Sequence, residues 1–149
     1  MVNRAALFVC LLGGAAPALA APTIYHQSPP AVAAGLPFSE ATEVGGVLYL
    51  SGQLGALPGE LKVVPGGLEA EARQMFTNIG NTLKARGLGF DDVFKCTVML
   101  ADMAEWPAFN RIYLTYFKPD RLPSRSAMGV DGLALGARVE MECWANTAR

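Results

Sequence analysis

Apolar residues recur at helical spacing twice along the chain. Leu68, Ala72, Met75, Phe76, Ile79 and Leu83 share one stripe, and Gly87 and Gly89 follow as stop signals. Trp106, Phe109, Ile112, Tyr113, Tyr116 and Phe117 form a second stripe, closed by Pro119. Asp102 precedes it with Glu105 three residues on, the spacing of a capping box. Both stripes read as core rather than as cofactor boxes. Elsewhere the period is two. Phe38 to Val44 alternates loosely, Gly45-Gly46 is a hairpin signal, and Val47 to Ser51 is a β-rich run ending at Gly52. Phe94, Cys96, Val98 and Leu100 are expected on one face of a strand. A short strand is expected over Ser126 to Val130. The last covers Arg138 to Trp144, with Val139, Met141 and Cys143 facing one way and Arg138, Glu140 and Glu142 the other. Ala21 to Ala34 has no period and reads as an extended lead-in.

The order is therefore β-β-α-β-α-β-β, an α+β domain with two helices on one face of a mixed sheet. Its other face carries Lys95, Thr97, Met99, Arg138, Glu140 and Glu142. Such a semi-polar face meets either solvent or another subunit.

The N-terminus changes the picture. Arg4, the uncharged apolar run Ala5 to Leu12 and the small-x-small pattern Ala18-Leu19-Ala20 read as a signal peptide over residues 1–20. The run is too short and too broken for a confident membrane span. Cys10 lacks the small residues expected before a lipidated cysteine. Cleavage leaves a single domain, 21–149, expected in the periplasm or outside the cell, without stable membrane association.

Charge narrows the function. Without Arg4, eleven basic residues face thirteen acidic ones, and the basic residues are scattered. No patch suits nucleic acid or anionic lipid. One histidine, His26, and no zinc-like Cys/His spacing leave metal catalysis and a Ser-His-Asp triad poorly supported. Cys96 and Cys143 sit on apolar strand faces. Export permits a disulfide, but the pattern is read as two buried free thiols.

The candidate chemistry lies in Leu122-Pro123-Ser124-Arg125-Ser126-Ala127-Met128. A guanidinium held in a loop stiffened by Pro123 suits bidentate capture of a carboxylate. Glu140 or Glu142, if partly desolvated, suits activation of a water.

These segments, taken in order, resemble the YjgF/YER057c/UK114 family, also called the RidA family of imine deaminases. The similarity is carried by Pro37-Phe38-Ser39-Glu40-Ala41, Tyr49-Leu50-Ser51-Gly52-Gln53, Asn78-Ile79, Asp92 to Val98, and Asp102-Met103. It continues through Phe109-Asn110 with Tyr113 and Phe117, Pro123-Ser124-Arg125-Ser126 and Gly136 to Glu142. The resemblance implies a chorismate-mutase-like fold and a homotrimer with ligand sites between subunits. It implies hydrolysis of 2-imino or enamino acids to 2-keto acids and ammonia, without metal or organic cofactor. Arg125 would bind the substrate carboxylate and Glu140 would orient the attacking water. Ser51, Gly52 and Asn110 would line the pocket. The family's pocket tyrosine is Phe38 here, and the position two after the arginine, often cysteine, is Ala127. Competing readings are a binding protein for small keto acids, an endoribonuclease, which the charge disfavours, and a chaperone-like surface protein.

Overall fold

A computed structural model describes residues 21–148. The signal-peptide reading falls outside the described residues. The sheet contains β1 (Ile24–His26), β2 (Ala41–Val44), β3 (Val47–Leu50), β4 (Gln53–Leu54), β5 (Val93–Leu100), β6 (Ser124–Gly129) and β7 (Val139–Asn146). The helices are α1 (Pro29–Ala33), α2 (Gly67–Lys84) and α3 (Trp106–Tyr113). Strand order is β1-β2-β3-β7-β5-β6, with β4 pairing a different stretch of β7. β6 runs parallel to β5, and the other pairs are antiparallel.

α2 and α3 pack on one face of the sheet. Met75, Phe76, Ile79 and Leu83 of α2 and Phe109, Ile112 and Tyr113 of α3 share one buried cluster with Cys96, Val98, Leu100, Val139 and Met141. The two helical stripes and the period of the last strand are therefore core, as expected. The opposite face carries half-buried Lys95, Thr97, Met99, Glu140 and Glu142, as the alternation requires.

Several expectations need correction. The lead-in contains β1 and α1. The side chain of Ser28 accepts from the Ala31 N–H at 3.3 Å, and Pro29-Pro30 opens the short helix. Phe94 is not on the core face. The β5/β7 register shifts between Val93 and Lys95, so Val93 is buried and Phe94 is pushed out against Trp144. Glu105 completes no capping box. Asp102 caps a single turn through the Ala104 N–H, and the Glu105 carboxylate goes to Arg138 instead. The strand expected over Ser126 to Val130 runs from Ser124 to Gly129, so Arg125 lies in a strand and not in a loop.

Cys96 and Cys143 are a disulfide, not two thiols. They are directly opposed in the β5/β7 ladder and point into the same core. Apolar periodicity gives the face of each strand but not the register that puts them opposite one another.

Candidate functional site

Arg125 stands in β6, an edge strand of the sheet, opposite Cys96. Cys96 faces the helices, and Arg125 does too. Its guanidinium carbon lies 4.6 Å from the Trp106 ring centre and 4.3 Å from that of Tyr113. Stacking of a planar cation on two aromatic faces fixes its plane and leaves its edge for a planar anion. Trp106, Asn110 and Tyr113 are four and three residues apart on α3, so they share a helical face. Asn110 Oδ1, the Tyr113 hydroxyl and Arg125 Nη1 are buried without a hydrogen-bond partner among the described residues. Burial pushes the Tyr113 hydroxyl up, opposed by the charge of Arg125. Unsatisfied buried polar atoms are uncommon and costly, and three of them here mark an unusual polar locus. Ala127, two residues on in β6, packs against the core.

A second group of residues lies elsewhere. Glu140 is in β7, opposite Leu54 on one side and Met99 on the other. It faces away from the helices. Its carboxylate lies against Gly52: a Cβ there would overlap Glu140 Oε1. Burial, reinforced by the charge of Glu142, pushes the Glu140 carboxyl above the ordinary glutamate value. The Ser51 hydroxyl donates to the Ser39 carbonyl at 2.7 Å, which ties the strand end beside Gly52 to the segment carrying Phe38. Phe38 is 47 % exposed. Phe38 and Gly52 line a cavity of about 610 Å³ that neither Arg125 nor Glu140 lines.

The sequence-derived site thus divides in two. Arg125, Asn110 and Ala127 gather at the β6/α3 edge. Glu140, Gly52, Ser51 and Phe38 gather around the end of β3 and the start of β7. Within one subunit, Arg125 and Glu140 point to opposite sides of the sheet.

Three further residues support these groups. Periodicity assigns Trp106 and Tyr113 to the core stripe, and their helical spacing with Asn110 is the signal of a shared site face. Glu71 is only 4 % exposed, and its Oε2 accepts the Arg138 N–H at 2.8 Å. It falls three residues after Leu68 and four before Met75, on the buried stripe of α2, and that position was its signal. The contact anchors the start of β7 two residues before Glu140. Arg138 in turn pairs with Glu105 at 2.7 Å, joining the start of β7 to the start of α3.

Fold and site together define an α+β protein of the chorismate-mutase-like type, with a stacked arginine at the sheet edge and a half-buried carboxylate on its open face. The family model described as Endoribonuclease L-PSP matches residues 28–147. A 2-iminobutanoate/2-iminopropanoate deaminase of Mus musculus is 46% identical over 106 residues, 71% of this chain and 78% of that protein. The crystal structure of yeast Mmf1 superposes with TM-score 0.77 at 32% identity, covering 85% of this chain and 100% of that one. A conserved Rid-family protein from Yersinia pestis gives TM-score 0.77 at 32% identity over 84% of this chain and 99% of that one. The chain belongs to the YjgF/YER057c/UK114 family, the Rid proteins.

Proposed function

We propose that this protein hydrolyses 2-imino acids to 2-keto acids and ammonia, at sites completed between copies of a homotrimer. The observation that carries this reading is the stacked Arg125 guanidinium, whose buried Nη1 has no hydrogen-bond partner among the described residues, a fork for a carboxylate in a chain whose relatives are named imine deaminases.

Arg125 binds the carboxylate through two parallel hydrogen bonds, which fixes C2. Asn110 supplies a nearby acceptor. Glu140 accepts a proton from water as the water oxygen adds to C2. Glu140 returns that proton to the nitrogen, giving the neutral carbinolamine. The carbinolamine hydroxyl then gives up its own proton, through Glu140, to the amino nitrogen. The C–N bond breaks as the C=O bond forms, and ammonia leaves with the 2-keto acid. A carboxylate held above its ordinary pKa suits a group that takes and returns a proton. Because Arg125 and Glu140 point to opposite sides of the sheet in one subunit, each site takes Arg125, Asn110 and Ala127 from one copy. Glu140, Gly52, Ser51 and Phe38 come from its neighbour. The semi-polar sheet face becomes the surface between copies. The N-terminal leader directs the chain to the periplasm or the exterior.

Arg125→Lys tests the clamp. Lysine keeps the charge but loses the planar fork. With imines generated from amino acids by an oxidase, kcat/KM is expected to fall at least about tenfold, equivalent to about 1.4 kcal/mol of transition-state binding. Wild-type turnover by this variant on every imine would remove Arg125 from the mechanism.

A further inference from the structure

Glu71 and Glu105 converge on Arg138 but hold different parts of it. The backbone of Arg138 is fixed from the core. Its N–H donates to buried Glu71 at 2.8 Å, and its carbonyl accepts the Ala101 N–H at 3.0 Å. The path of β7 toward Glu140 is therefore set without the Arg138 side chain. The guanidinium goes to Glu105. Its Nε donates to the two carboxylate oxygens at 3.0 and 2.9 Å, and Nη2 lies 2.7 Å from Oε1. Two nitrogens on one carboxylate fix orientation as well as distance. Glu105 immediately precedes Trp106, the first residue of α3, and its side chain does not cap that helix. The carboxylate instead ties the start of α3 to Arg138. Trp106 is only partly buried against the core, and its ring stacks on the Arg125 guanidinium.

We infer that Arg138 is a positioning residue for the carboxylate clamp: through Glu105 it sets the Trp106 ring over Arg125, and so holds the edge of that guanidinium where the substrate carboxylate binds. The inference rests on the deaminase reading above. Both members of the pair are partly exposed, and such a pair adds little as a stabilising contact. A pair that only stabilised the fold would leave substrate affinity alone. A pair that orients the clamp weakens affinity when it is lost. Because Glu71 and Ala101 hold the Arg138 backbone, loss of the side chain spares Glu140 and its proton transfers. The effect falls on binding rather than on the chemical step.

The test compares Arg138→Met, Glu105→Gln and the double variant with the full chain as purified. In each, KM for 2-iminopropanoate and Kd for pyruvate are expected to rise at least about fivefold, with kcat within about twofold of wild type, the pattern of lost ground-state binding. The double variant should match the worse single variant, because both substitutions remove the same pair. Arg138→Lys, which keeps the charge without the fork, should fall between wild type and Arg138→Met. Heteronuclear NMR reads the clamp itself. The Arg125 Nε–H signal, assigned by its loss in Arg125→Lys, lies beside two ring faces that shift it upfield, and it should move downfield in both single variants. Glu105→Gln is nearly isosteric and carries the test should Arg138→Met not fold. Unchanged KM and Kd, a loss confined to kcat, additive effects in the double variant or an unmoved Arg125 signal overturns the inference. If the wild-type chain turns over no imine, the deaminase reading fails. The Arg125 signal then decides this inference alone: movement in the variants supports it, and an unmoved signal overturns it.

Discussion

Gly52 and Glu140 exclude one another's growth. A methyl group at position 52 would overlap the Glu140 carboxylate, not the backbone behind it. The end of a side chain can swing away, so Gly52→Ala should leave the fold intact and move the carboxylate. Misplacement on the scale of an ångström costs about 10²-fold in rate. Gly52→Ala is therefore expected to lose about that factor in kcat/KM with a Tm within a few degrees of wild type. Unchanged turnover would separate Glu140 from the reaction. Under the proposed mechanism Glu140 also sets a pH dependence. Burial and Glu142 hold its carboxyl above the ordinary value, so the unprotonated base is lost at a higher pH than for a solvated glutamate. The kcat/KM profile should climb with pH along a limb displaced upward from the usual carboxylate range. Glu140→Gln should lack that limb. Arg125 and a carboxylate at Glu140 or Glu142 were legible from a fixed cation and an alternating strand, while the choice of Glu140 and the pocket role of Gly52 came from the family resemblance. The contact between Gly52 and Glu140 was not legible, since it depends on β4 folding back along β7.

At the scale of elements, β5 is the hinge of the arrangement. It pairs with β6, which carries Arg125, and with β7, which carries Glu140, and a disulfide closes its rung with β7. The cross-link spans 47 residues of sequence, a long loop for the unfolded chain to keep closed. Replacing both Cys96 and Cys143 by Ala should cost about 2–4 kcal/mol in urea unfolding. Stability within about 0.5 kcal/mol of wild type would show that the rung contributes little. The helices α2 and α3 were readable from their stripes to within a few residues. β1, α1 and β4 were not, because a three-residue strand, a five-residue helix and a two-residue strand are too short to establish a period. Phe94 was misplaced for a related reason: a bulge breaks the strict alternation on which the assignment of faces depends.

For the whole molecule, the open sheet face carries Tyr49, Phe94 and Trp144, with the two rings partnering Trp144 at 4.9 and 6.3 Å, beside the carboxylates of Glu140 and Glu142. Closed cyclic assembly would cover this mixed face and bring the arginine edge of one copy to the carboxylate of the next. The most direct test of that account is complementation between two weakened subunits. Arg125→Lys and Glu140→Gln chains are each prepared alone and then co-expressed in equal amounts, and imine deamination is measured per mole of chain. A site built across two copies is intact when a Glu140→Gln chain supplies Arg125 to an Arg125→Lys chain that supplies Glu140. Random mixing in a cyclic oligomer makes that true of about a quarter of the sites. The account predicts that the mixture recovers about a quarter of wild-type kcat/KM. A mixture no more active than the mean of its two parents would contradict it, because Arg125 and Glu140 would then have to serve the reaction from within one subunit.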